Sequence, residues 1–216
     1  MALTLHFHSL SSYCHKVLIA LYENDTPFTP NSVNLQNADE RNALIKLWPI
    51  GKFPVLQDHA RDWSVSESSI IIEYLDLHYP GVTRLVPEDP DLARQMRFRD
   101  RFFDLYIHLP MQKVVGDRLR PAGAKDPHGV AQARSQMATA LGMVEQAMAG
   151  KIFANGESFS LADCSAAPAL FYADKVMPFA RTHPNAAAYL KRLTERPSYA
   201  RALKEAEPYF QFFPKE

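Results

Sequence analysis

The sequence predicts an α/β domain followed by an all-helical domain. Three observations carry that reading. Strand-like and helix-like patterns alternate through residues 1–80. Residues 81–90 form a linker bracketed and broken by Pro80, Pro87 and Pro90. Beyond it, over residues 91–216, strand signals vanish and helical periods take over.

Leu3 to His8 alternates apolar and polar side chains and is rich in strand formers, so it predicts a strand. Ser11 or Ser12 can cap a helix that runs from about Ser12 to Asn24, with Cys14, Val17, Leu18 and Leu21 on one face. Asn24-Asp25-Thr26-Pro27 ends it, and Phe28 to Leu35 reads as a weak strand. Asp39 to Trp48 is a short helix stopped by Pro49. Val55 to Asp58 and Trp63 to Val65 form a hairpin, and a helix starts at Ser66 to Ser69 and stops at Tyr79-Pro80-Gly81. In the second domain, Asp91 to about Leu119 is helical with a kink expected at Pro110. Val130 to Ala149 and Leu161 to about Val176 follow, then Pro184 to Glu195 and Pro197 to Ala206, each with Pro near its start. The aromatic tail Tyr209 to Phe213 needs a surface to cover.

Composition excludes several classes. Lys plus Arg is 24 and Asp plus Glu is 24, so the basic excess of a nucleic-acid binder is missing. No apolar run approaches the roughly 18 residues of a membrane span. The N-terminus lacks a basic stretch followed by an apolar one and reads as the first strand of a mature cytoplasmic protein. Cys14 and Cys164 are far apart in sequence and read as two isolated thiols. No residue is assigned to a metal.

The chemistry concentrates at Ser11-Ser12-Tyr13-Cys14-His15-Lys16-Val17. A strand that ends in a polar turn and passes at once into a helix presents hydroxyls and backbone N–H groups to an anion. Periodicity places Cys14 on the buried face as a small core residue, and leaves Ser11 outside that face. His15 and Lys16 are expected to face solvent or the domain interface. At Lys52-Phe53-Pro54, a cation stands two residues before a proline that heads a strand; a cis bond at Pro54 would turn the Phe53 backbone outward. At Glu67-Ser68, a hydroxyl and free N–H groups at a helix start suit a carboxylate, while Glu67 can accept from an ammonium. Each of these serines is equally readable as a plain cap.

Taken together, Ser11 to Val17, Lys52 to Leu56, Glu67-Ser68 with Ile70, Ile72, Glu73, Tyr74 and Leu75, and Ser160-Leu161-Ala162-Asp163 resemble the soluble, cytosolic type of glutathione S-transferase over nearly the whole chain. The resemblance implies a thioredoxin-like N-terminal domain, a helical C-terminal domain, glutathione as co-substrate, a small electrophile, a homodimer and a role in detoxification. It puts Ser11 where the family has its catalytic Ser or Cys, with Ser12 as the alternative. It implies that Phe53, beside Pro54, pairs with the cysteinyl unit, Lys52 faces the glycyl carboxylate, and Glu67 and Ser68 take the γ-glutamyl end. The Ser160–Asp163 capping box is structural. Ser11-Ser12-Tyr13-Cys14 also resembles a glutaredoxin-type Cys-x-x-Cys with serine first, which favours thiol addition over disulfide exchange. An electrophile pocket is expected between the domains, from Leu10, Tyr106, Met111 and Tyr172. Alternatives are a glutathione-dependent isomerase or dehalogenase, or a non-catalytic binding module of the same fold.

Overall fold

A computed structural model describes residues 2–215. The chain divides into two compact units: residues up to Val86 together with Pro197–Phe210, and Pro87–Arg196 together with the residues after Phe210.

In the first unit, β1 (Leu3–Phe7), β2 (Thr29–Ser32), β3 (Val55–Asp58) and β4 (Trp63–Ser66) form a sheet of order β2-β1-β3-β4. β1 runs parallel to β2, with α1 (Ser12–Glu23) as the crossover, and antiparallel to β3; β3 and β4 form the expected hairpin. Leu3, Leu5 and Phe7 are buried, while Thr4, His6 and His8 alternate to the other face. There His6 is held between Asn31 of β2 and Gln57 of β3, at 2.7 Å from each. β2 is shorter than expected and exposed throughout, as befits an edge strand that contains Pro30. α2 (Ala38–Leu47) buries Leu44 against Val33 and Val55, with Phe53 and Trp48 at the rim.

α1 is buried on nearly every side. His15 is 0% and Lys16 1% exposed, which corrects the expectation that they face solvent. The reason is two neighbours within the same unit. Lys16 Nζ donates to Ser69 Oγ at 2.8 Å, in α3 (Ser68–His78). The His15 ring meets Tyr199 edge-on at 5.9 Å, in a C-terminal helix, Pro197–Ala206. That helix packs along α1 and is tied down by Ser198 Oγ donating to Glu23 at 2.7 Å. Asn24, the C-cap of α1, accepts from Thr83 N–H at 2.9 Å and donates to Thr83 C=O at 3.0 Å. Gly81 fits this clasp because a Cβ there would lie 2.4 Å from the Asn24 side chain.

The second unit begins with one long helical rod. α4 (Pro90–Phe102) passes through a π-helical segment, Phe103–His108, into α5 (Leu109–Arg118). At Pro110, where a kink is expected, the helix widens and continues: Leu109 N–H reaches back to Asp104 C=O. α6 (Pro127–Ala147) starts earlier than the sequence pattern suggested because Asp126 caps it, accepting from Gly129 N–H at 2.8 Å. α7 (Leu161–Val176) is the buried centre of this unit, and α8 (Pro184–Glu195) packs on it. The capping box forms: Ser160 N–H and Oγ both donate to Asp163 Oδ2 at 2.9 Å. Ala154 N–H at 2.8 Å and Tyr189 O–H at 2.6 Å donate to Oδ1, so this buried carboxylate is fully used. The remaining helix, Pro197–Ala206 of the first unit, is α9. Among the described residues, no helix is long and apolar enough to cross a membrane.

Candidate active site

Strand register gathers the predicted site residues at one end of the sheet. His6 pairs with Val55, and Val55 pairs with Ser66. The C-terminal end of β1, the N-terminal end of β3 and the C-terminal end of β4 therefore lie side by side. Ser11 follows the first, Lys52-Phe53-Pro54 precedes the second, and Glu67-Ser68 follows the third. The N-termini of α1 and α3 both open at this edge, and two helix N-termini favour an anion there.

Ser11 is the N-cap of α1, half-buried, with extended backbone; its Oγ accepts from Cys14 N–H at 3.3 Å. Ser12 is 5% exposed and inside the first helical turn. Of the two serines, Ser11 is therefore the accessible one. Cys14 is fully buried. Burial pushes its thiol up to about 12, and its interactions with the Ser11 side chain and the His8 backbone offset only part of this. Cys14 is the core residue that periodicity indicated. Burial likewise pushes the His15 imidazole down to about 4, although Nε2 donates to Ser9 C=O at 2.6 Å.

The Phe53–Pro54 peptide bond is cis. Pro54 is buried, Phe53 half-buried and Lys52 exposed. Glu67 is the N-cap of α3 but makes no side-chain cap; its φ of 68° lies in the left-handed region that a glutamate rarely adopts. Backbone strain of this kind concentrates at ligand sites. Ser68 is the first helical residue, and the Lys16 ammonium reaches the next one, Ser69.

The sequence reading missed His8, whose ring stacks on Phe53 at 5.9 Å with 16° between planes. Its signal was the outward phase of the β1 alternation. It also missed Lys16, because α1's buried face looked narrower than it is. Of the electrophile-pocket candidates, Leu10 lies in the first unit, beside Ser11. In the second unit Tyr106 is exposed in the π segment, while Met111 and Tyr172 are buried, Tyr172 stacked on Phe213 at 5.6 Å. Among the described residues no group of three His, Cys, Asp or Glu could hold a metal ion.

The profile of the glutathione S-transferase N-terminal domain matches residues 5–83, and that of the C-terminal domain matches residues 127–192. The chain belongs to the glutathione S-transferase family. Its four-stranded sheet with helices, followed by a helical unit, is the thioredoxin-like plus all-helical architecture expected of that family. A glutathione S-transferase from Hyoscyamus muticus is 26% identical over 213 residues, covering 94% of this chain and 99% of the relative. A stringent starvation protein A homolog from Haemophilus influenzae is 29% identical over 208 residues, covering 95% of this chain and 92% of the relative. Among solved structures, a glutathione S-transferase from Methylobacterium radiotolerans, in complex with glutathione sulfonate, has a TM-score of 0.82 at 27% identity and covers 93% of both chains.

Proposed function

We propose that this family member is a glutathione transferase that uses Ser11 to hold glutathione as its thiolate. One observation carries the reading: Ser11 caps α1 on the sheet edge shared by Phe53 and the start of α3. Its Oγ accepts from the helix, so its O–H is the group to donate to the glutathione sulfur. A hydrogen bond to a charged group contributes about 1.5–3 kcal/mol. At about 1.4 kcal/mol per unit, this lowers a thiol from about 8.5 by roughly one to two units. The α1 N-terminus acts in the same direction. Ser12, being buried, is the weaker donor candidate.

The Phe53 backbone pairs with the cysteinyl unit beside Pro54, Lys52 meets the glycyl carboxylate, and Glu67 and Ser68 take the γ-glutamyl ammonium and carboxylate. Capture is local. Residues 1–80 hold nine acidic and five basic side chains, so the domain's net charge repels an anionic peptide. The thiolate then adds to, or displaces a group on, a small electrophile, a detoxifying conjugation in the cytoplasm. Of the electrophile-pocket candidates, Leu10 of the first unit and Tyr106 of the second are accessible, while Met111 and Tyr172 are buried within the helical unit. The protein works as a homodimer. The exposed Phe98 and Met143 give the helical unit an apolar face for a second copy.

Ser11→Ala tests the mechanism. Its pH–rate profile for conjugation should shift to higher pH by roughly one to two units, with turnover at pH 6.5 falling about tenfold or more. Full activity with an unshifted profile would sink the serine role. A second reading is a non-catalytic module of the same fold, since some relatives, the stringent starvation protein A homologs, bear names that state no transferase activity. Titration calorimetry with glutathione, followed by turnover on alkyl halides, conjugated ketones and a cis-enone acid, separates transferase, dehalogenase, isomerase and module.

A further inference from the structure

His8 directly follows β1 and continues its outward phase, three residues before Ser11, and its C=O accepts Ser11 N–H at 2.9 Å. Three contacts fix its ring. It stacks on Phe53, it meets Tyr209 edge-on at 5.7 Å, and its Nδ1 accepts from Leu10 N–H at 3.2 Å. An accepting Nδ1 carries no proton, so in the neutral ring the proton sits on Nε2. Among the described residues, that Nε2–H meets no hydrogen-bond acceptor. Burial lowers the imidazole's pKa, so the ring stays a neutral donor at physiological pH. The result is an oriented N–H donor between the residue that caps α1 and the residue that opens the cis-proline turn.

We propose that His8 sets electrophile preference, donating a hydrogen bond from Nε2 to an electrophile's oxygen as the glutathione sulfur adds, and so favouring conjugated carbonyl compounds. The inference rests on the transferase reading above. In such an addition the sulfur lone pair forms the S–C bond at the β carbon. The C=C pair moves to give an enolate, and the carbonyl oxygen takes the negative charge. Water then supplies the proton that reaches the α carbon. A fixed neutral donor stabilises the charge where it develops. In displacement of a halide from carbon, the charge leaves with the halide and no oxygen gains from the donor.

The experiment compares kcat/KM for a conjugated aryl enone and for benzyl chloride, with glutathione, in wild type, His8→Phe and His8→Gln. Phe keeps the ring stack without the donor, and Gln restores an amide N–H near the Nε2 position. The enone-to-benzyl chloride ratio should fall about tenfold in His8→Phe and return to within about threefold of wild type in His8→Gln. His8→Leu gives the same donor deletion should the Phe variant not fold. A ratio unchanged across the variants would leave His8 a packing residue and overturn the proposal. Wild-type protein that binds glutathione and turns over neither compound overturns the transferase reading itself, and His8's role with it.

Discussion

Ser11 and Cys14 stand one helical turn apart, and their surroundings divide the chemistry between them. The hydroxyl lies at the open end of α1, where an anion is welcome; the thiol lies beneath it in the core. With its pKa pushed up to about 12, Cys14 is thiolate in only about one molecule in a hundred thousand near neutral pH. Alkylation of the folded protein by iodoacetamide should therefore go no faster than unfolding exposes Cys14, while both thiols react promptly in urea. One rapidly alkylated equivalent under native conditions would reverse the assignment. Lys52 is a different case, since an exposed cation works against solvent and salt. Lys52→Ala should weaken glutathione binding by about fivefold, the scale of one exposed charge pair, and the difference from wild type should shrink in high salt. Calorimetry at two ionic strengths decides it.

At the scale of elements, one carboxylate pins the β3–β4 hairpin to α3. Asp58 closes β3 and is buried; it accepts from Tyr79 O–H at 2.6 Å, Tyr74 O–H at 2.7 Å, Ala60 N–H at 3.0 Å and Arg61 at 3.1 Å. Burial alone would raise its pKa, but these donors outweigh it and hold the carboxyl at about 2. An unfolded carboxylate titrates near 3.9. The folded value is depressed, so the stabilisation is complete above about pH 4 and is lost as pH falls through about 2. Asp58→Asn should cost about 2–4 kcal/mol at pH 7, because it weakens several charge-assisted bonds at once, and should flatten the acid limb of stability. Urea melts between pH 3 and 7 measure both. The sequence made the hairpin legible through its two short runs and turn. It did not show this network, because Asp58, Tyr74 and Tyr79 become neighbours only once α3 lies on the sheet. For the same reason the site was legible as separate pieces: Ser11, Lys52-Phe53-Pro54 and Glu67-Ser68 each had a local signature, while their meeting is a property of strand register. His8 had only the outward phase of the β1 alternation as a local signature, since its surroundings come from Phe53 and Tyr209, far away in the chain.

At the scale of the molecule, the first compact unit is not continuous in sequence. Its core takes in α9, which arrives only after α4 to α8 of the helical unit have been traversed. The pattern of residues 197–206 marks a helix with one apolar face, Tyr199, Ala202 and Ala206, and all three are buried. Periodicity cannot say which unit that face serves, so the sequence alone grouped it with the helical domain. The consequence is thermodynamic. α1 is covered on the Tyr199 side by a helix that residues 1–86 do not contain. Without α9, His15 and its neighbours lose that cover, and the Ser198–Glu23 and Tyr22–Glu205 hydrogen bonds go with it. A fragment of residues 1–86 should therefore remain unfolded or molten in isolation, despite carrying every residue proposed to bind glutathione. In the full chain, Tyr199→Ala should destabilise by about 3–5 kcal/mol, the cost of emptying a large aromatic site. It should also weaken glutathione binding, because His15 and Lys16 sit on the helix whose N-terminus Ser11 caps. Circular dichroism of the fragment and a urea melt of the variant, each with and without glutathione, test the point. A fragment that folds cooperatively and binds glutathione would show that α9 is an addition to the first unit rather than part of its core.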